Sequence, residues 1–106
     1  MVYTIPVRTV LTSALFDSWF SRLVDAQAKA RIEARIRRAE QGNPGDCTPV
    51  GEGVSEMSIH CGPGYRIYFV QRGTELIILL AGGDKSTQAK DIKTALGLAR
   101  RLKEGS

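Results

Sequence analysis

The sequence predicts an α+β domain: an N-terminal strand, an α-helical hairpin packed on an antiparallel meander sheet, and a C-terminal helix. Three observations carry this. Apolar residues recur three and four apart, the helical spacing, in residues 15–23, 28–39 and 92–102. They alternate with polar residues, or run unbroken, in three closely spaced segments between residues 54 and 81, with turn residues between them. The length, 106 residues, is that of one domain with one modest core. Residues 1–106 are therefore expected to fold as a single unit.

Each element has its own warrant. Residues 2–11 alternate roughly and hold Val, Ile, Tyr and Thr, which suit a strand. Pro6 has no N–H to give to a ladder, which puts that strand at an edge or beside an irregularity. Thr12 or Ser13 caps a helix whose apolar face is Leu15, Phe16, Trp19, Phe20 and Leu23. Asp25 caps a second helix lined by Ala28, Ile32, Ile36 and Ala39, and Gly42-Asn43-Pro44-Gly45 ends it. So short a link makes the two helices a hairpin. Residues 46–53 are turn-rich, with room for one short strand. In residues 54–61, Ser55, Met57, Ile59 and Cys61 point one way and Glu56, Ser58 and His60 the other.

Gly62-Pro63-Gly64 turns the chain into a strand at residues 65–71, and Arg72-Gly73-Thr74 turns it again. Residues 75–81 are nearly all apolar, the pattern of a strand covered on both faces. Gly82, Gly83 and Asp84 read as a loop. Ser86 or Thr87 then caps a last helix with Ile92, Ala95, Leu96, Ala99 and Leu102 inside.

Composition narrows the function classes. The longest apolar run, residues 76–81, is far too short to cross a bilayer. Residues 1–11 alternate instead of forming an apolar leader, so a cytoplasmic protein without a membrane partner is expected. In that compartment Cys47 and Cys61, which lack C-x-x-C spacing, are expected as free thiols. His60 is the only histidine, and with two scattered cysteines it makes a poor metal set; no metal and no other cofactor is expected. Lys and Arg outnumber Asp and Glu by 15 to 11, a net charge of +4. That excess admits a nucleic acid or an acidic protein as partner and requires neither.

Periodicity stops at a small basic α+β domain. Two motifs go further: Gly62-Pro63-Gly64-Tyr65-Arg66-Ile67-Tyr68-Phe69, and Leu79-Leu80-Ala81-Gly82-Gly83-Asp84-Lys85-Ser86-Thr87-Gln88 followed by Asp91-Ile92. At this separation, and with Phe16, Trp19, Phe20, the Arg-rich second helix and Gly42-Asn43, they closely resemble the "addiction module killer protein" group of HigB-like toxins in the RelE/ParE superfamily. The resemblance covers essentially the whole chain. It implies a RelE-like fold and the toxin of a type II toxin–antitoxin system. The implied activity is that of a metal-independent endoribonuclease, or mRNA interferase. Such toxins cut messenger RNA, usually in the ribosomal A site, and so inhibit translation and arrest growth. The implied partners are a HigA-like helix-turn-helix antitoxin, the mRNA and the ribosome, with operator DNA bound only through the antitoxin complex. ParE-like toxins share the architecture but inhibit DNA gyrase by binding, without catalysis, and this is the alternative implication.

In the RNA reaction a ribose 2′-hydroxyl attacks the adjacent phosphate and leaves a cyclic phosphate. A protein can take the hydroxyl proton, stabilise the added negative charge and protonate the leaving oxygen. The resemblance gives Arg66 the grip on the scissile phosphate, which suits a planar fork that never loses its charge. The plainer reading of Arg66 is a surface ion pair with Glu56 or another strand carboxylate. Lys85 matches the family's lysine before the last helix, where a helix N-terminus adds positive field; the plainer reading is a solvated loop lysine. Glu56 or His60 is the candidate general base, with Ser58 between them on the same strand face. Relatives often carry Lys on this strand and a Tyr or His near the C-terminus, where this chain reads Leu102-Lys103-Glu104-Gly105-Ser106.

By strand alternation Tyr68 shares a face with Arg66 and is a candidate to stack on a base or hydrogen-bond a phosphate, while Tyr65 belongs to the core. Phe16, Trp19 and Phe20 sit on one helical stripe and also belong to the core. Arg31, Arg35 and Arg38 form a stripe opposite Ile32 and Ile36: a solvated face by default, or a contact to RNA or to an acidic antitoxin. Lys90, Lys93, Arg100, Arg101 and Lys103 on the last helix allow the same two readings.

Overall fold

The structure, a computed structural model, describes residues 8–105. The elements are β1 (Thr9–Thr12), α1 (Ala14–Arg22), α2 (Ala26–Glu40), β2 (Cys47–Gly51), β3 (Val54–Ile59), β4 (Tyr65–Arg72), β5 (Leu76–Gly83), a 3-10 turn (Lys85–Thr87) and α3 (Gln88–Glu104). Residues 2–7 of the predicted first strand, Pro6 among them, lie outside the described residues. One sheet holds the strands in the order β1-β5-β4-β3-β2. The turn-linked strands β2 to β5 pair antiparallel, and β1 lies parallel to β5, Thr9 against Leu76 and Thr12 against Leu79.

The sheet is covered on both faces. On one, α1 and α2 bury Phe16, Ile32 and Ala39 against Met57, Ile59, Ile67, Phe69, Ile77 and Leu79. On the other, α3 buries Ala95 and Ala99 against Val54, Tyr68, Leu80 and Ala81. This is why β5 is apolar throughout: Ile77 and Leu79 meet the hairpin, Ile78 and Leu80 meet α3. A register shift between Tyr68 and Phe69 inserts Leu80 as an extra residue, so Leu80 and Ala81 both face α3. Each large apolar side chain buried this way contributes about 1.5–3 kcal/mol.

Capping follows the sequence at two helices and departs from it at the third. The Ser13 hydroxyl accepts from the Phe16 amide at 3.0 Å and donates to the Leu80 carbonyl at 2.6 Å, tying α1 to β5. The Asp25 carboxylate accepts from the Gln27 and Ala28 amides and starts α2. Before α3, Thr87 holds the N-cap position without a side-chain bond, and the capping carboxylate ahead of it, at the 3-10 turn, is that of Asp84. Its carboxylate takes the Ser86 amide at 2.8 Å and the Ser86 hydroxyl at 2.5 Å. The Thr87 hydroxyl makes no capping bond because it donates to Asp91 at 2.6 Å.

Two further boundaries differ. Gly82 and Gly83, expected in a loop, belong to β5 and pair with Ile67 and Arg66. β3 ends at Ile59, so His60 and Cys61 leave the alternation expected to continue through them. Both cysteines are free thiols, and burial pushes the Cys47 thiol up, against the field of Arg35. No described helix is long and apolar enough to cross a membrane.

Candidate functional site

The topology joins the two sequence motifs. Because β4 and β5 are antiparallel neighbours, the start of one meets the end of the other: Arg66 pairs with Gly83, two residues before Lys85. The Gly62-Pro63-Gly64 turn closes over this junction. Gly64 has φ +82°, a left-handed conformation that favours glycine, and a Cβ there would lie 3.4 Å from Arg66 Nη1 and 3.8 Å from Lys85 Cβ. The Gly64 carbonyl accepts from Arg66 Nη1 at 3.0 Å. The turn thus seats the guanidinium and places it beside the base of the exposed Lys85 side chain. Ser58 stands across from Arg66 in the β3–β4 register.

Beneath Arg66 lies a buried carboxylate. Glu56 is 7% exposed. Its Oε2 accepts from the Tyr68 hydroxyl and from Gln88 Nε2, both at 2.9 Å, and its Oε1 lies 3.5 Å from Arg66 Nε. Nε is buried and makes no hydrogen bond. Burial and the Glu56 carboxylate push the Tyr68 phenol far above its ordinary range. At the rim, bonds from Ser86 hold the Asp84 carboxyl below the usual carboxylate range, with a smaller contribution from Arg66. The cluster therefore holds two cations and two carboxylates, of which Arg66 and Glu56 form an ion pair. It presents an oriented guanidinium and an exposed ammonium, and it keeps Glu56 largely away from solvent.

The structure corrects four of the expected roles. Tyr68 is 0% exposed, so its ring cannot stack on a base; α3 covers the face of β4 that alternation leaves unspecified. Glu56 does not stand on an open strand face: it is 7% exposed, and its oxygens already face Tyr68, Gln88 and Arg66. The Arg66–Glu56 ion pair exists, but in the interior, with the two side chains 18% and 9% exposed, and not at the surface. Arg35 does not offer its charge to RNA, because its guanidinium donates to three carbonyls, Ser58 at 2.6 Å, Pro44 at 2.9 Å and Asp46 at 3.3 Å. It locks the end of the helical hairpin to β3 and β2.

His60 is also not with Glu56. Past the end of β3 its Nε2 lies 2.7 Å from Asp46 Oδ2, and it borders a surface cleft with Arg31, Arg35 and Arg38. Arg31 and Arg38 are exposed there. Phe16 is buried, with Trp19, Phe20 and Tyr65 packed against the same core; Tyr65 meets Trp19 edge-on at 6.2 Å. On α3, Arg100 forms a two-bond pair with Glu52, at 2.8 and 2.5 Å. Sequence reasoning missed Asp84 and Gln88 as parts of the cluster. Asp84 followed two residues later by serine is a visible capping signal. Nothing local marks Gln88, whose partner is 32 residues away.

The model of the phage-derived Gp49-like protein family (DUF891) matches residues 18–104, which include both motifs and every element from α2 to α3. This chain belongs to the Gp49-like family. The family is toxin-like, of the RelE kind, and the α+β fold of this member agrees with that. An uncharacterized protein of Haemophilus influenzae is 52% identical over 99 residues, covering 93% of this chain and 97% of its own length. No solved structure gives a significant match. Among the described residues of this Gp49-like protein, no three His, Cys, Asp or Glu side chains are grouped to hold a metal ion.

Proposed function

We propose that this Gp49-like protein is the toxin of a type II toxin–antitoxin pair, of the HigB kind, and cuts messenger RNA on the ribosome without a metal. The observation that supports this most is the meeting of Arg66 and Lys85 around Gly64. In this reading the two cations hold the scissile phosphate. The RNA 2′-oxygen bonds to phosphorus, the bond to the 5′-oxygen breaks, and a 2′,3′-cyclic phosphate remains. The hydroxyl proton leaves to water and the 5′-oxygen takes one up. Arg66 and Lys85 stabilise the extra negative charge of the phosphorane, a larger contribution in a partly desolvated site than in water. Rate comes from charge stabilisation and alignment of the RNA, not from Glu56 or His60 as base.

Arg31 and Arg38 serve as positional contacts to RNA phosphates on the opposite side of the sheet's end, carrying little sequence information. The proposed partner that silences the toxin is a helix-turn-helix antitoxin, which would also bring the complex to operator DNA. The test is induced expression of wild type and of Arg66→Ala with Lys85→Ala, followed by growth measurement and mapping of mRNA 5′ ends. Wild type arrests growth and leaves new ends in translated messages; the double variant, folded by circular dichroism, does neither. Growth arrest with intact messages and damaged DNA would instead favour a gyrase inhibitor.

A further inference from the structure

We infer that Glu56, Tyr68 and Gln88 form a buried positioning device that fixes the Arg66 guanidinium relative to the Lys85 turn. This deepens the nuclease reading and rests on it for its catalytic consequence. The first point is location. Glu56 comes from β3, Tyr68 and Arg66 from β4, and Gln88 is the first residue of α3, directly after the turn that carries Lys85. One carboxylate therefore links the strand bearing the arginine to the segment bearing the lysine, through contacts of 2.9, 2.9 and 3.5 Å.

The second point is energetic. A charged pair inside an otherwise apolar sheet–helix interface is a poor source of stability, and apolar residues of similar size often serve as well or better there. Val54, Leu80, Ala81, Ala95 and Ala99 already supply that apolar interface around Tyr68. A buried carboxylate with every contact directed at named donors is better suited to fixing geometry than to adding stability.

The third point is what remains open on Arg66. Gly64 takes Nη1 at 3.0 Å, and Glu56 faces Nε at 3.5 Å. Nη2 makes no hydrogen bond to a described residue and is the group left to meet an anion. Because Nε lies 3.5 Å from Glu56 without a hydrogen bond, the pair orients the guanidinium by charge. A cation held this way pays little reorganisation when a phosphate arrives.

The test uses three single variants, Tyr68→Phe, Gln88→Ala and Glu56→Gln, each measured in two independent ways. The first follows the Nε–H signal of Arg66 by NMR relaxation in the isolated protein. Wild type should show an immobilised guanidinium, and each variant a mobile one. The second follows cleavage of a message in a reconstituted translation system. Each variant should lose about 10- to 100-fold in kcat, the scale of a misplaced catalytic group, with KM little changed and the shape of the pH profile preserved.

An unchanged Arg66 signal in all three variants overturns the inference, even if their melting temperatures fall, because that pattern is merely structural. A Glu56→Gln variant that loses the acidic limb of the pH profile overturns it too, since Glu56 would then be the base. Mobile Arg66 with unaltered cleavage in all three variants also overturns it. If wild type cuts no message while Arg66 loosens in the variants, the device stands and the nuclease reading fails.

Discussion

Alanine at Gly82 tests whether the paired glycines of the second motif serve chemistry or packing. A Cβ built on Gly82 would lie 2.2, 2.4 and 2.7 Å from Cε3, Cζ3 and Cδ2 of Trp19. Carbon atoms rest at about 3.5–4.0 Å, so the indole must withdraw by more than about 1 Å. It has no easy route. Its ring centroid lies 5.8 Å from that of Phe16 and 6.2 Å from that of Tyr65, and Phe16 in turn stacks on Phe20 at 5.9 Å. Overpacking of this kind costs about 1–3 kcal/mol, and disturbing an aromatic pair adds about 0.5–1.5 kcal/mol. The stiffer unfolded chain of the alanine variant offsets about 0.4–1 kcal/mol. The expected net loss is about 2–3 kcal/mol.

Trp19 is the sole tryptophan, so its fluorescence follows urea unfolding directly. With a slope of about 1–3 kcal/mol per molar urea, the midpoint should fall by about 0.7–3 M. Combining Gly82→Ala with Trp19→Leu, followed by circular dichroism, should destabilise by clearly less than the sum of the two single changes, since both act on one contact. A midpoint shift below about 0.3 M, or strict additivity, would show that the ring does not press on the β5 backbone as described.

Three other outcomes follow from the same structure. Arg35→Met should lower stability by about 2–3 kcal/mol in thermal melts, because it strips charged hydrogen bonds from the Ser58, Pro44 and Asp46 carbonyls; a change within experimental error would return Arg35 to the solvated stripe. Gly97→Ala should raise stability by about 0.5–1 kcal/mol, since a Cβ there meets nothing within 4 Å and alanine favours a helix interior; a lower melting temperature would mean that this face of α3 is more crowded than drawn. Tyr68 has a raised phenol pKa in the folded state, so its contribution is full below the ordinary tyrosine value of about 10 and declines as pH rises above it. Stability should therefore fall in alkali with a slope that Tyr68→Phe reduces; an identical slope in the variant would show that Tyr68 is not enclosed with Glu56.

The fold was largely legible because its signals are local. Helical spacing in residues 15–23, 28–39 and 92–102, Ser13 and Asp25 as caps, and the uniform apolar run of β5 each report a neighbourhood of a few residues. The site was legible only in part. Arg66 and Lys85 were visible as motif residues, whereas their company was not. Alternation put Glu56, Ser58 and His60 on one face, but β3 stops at Ile59, and His60 turns away to Asp46. Alternation also put Tyr68 beside Arg66, correctly, without showing that α3 closes over that face. Arg35 looked like one of three equal arginines on a helix, yet it alone reaches three backbone carbonyls.

By itself the sequence determined the class of fold, the order of its elements and the family likeness, because periodicity, caps and turns are written in residues that are neighbours along the chain. Only the tertiary structure decided which polar groups are buried together. Glu56, Arg66, Tyr68 and Gln88 come from two strands and a helix, and whether a carboxylate lies in water or beneath an arginine depends on what packs over it. Burial is a property of the assembled layers, and no spacing along one strand reports what the layer above it will cover.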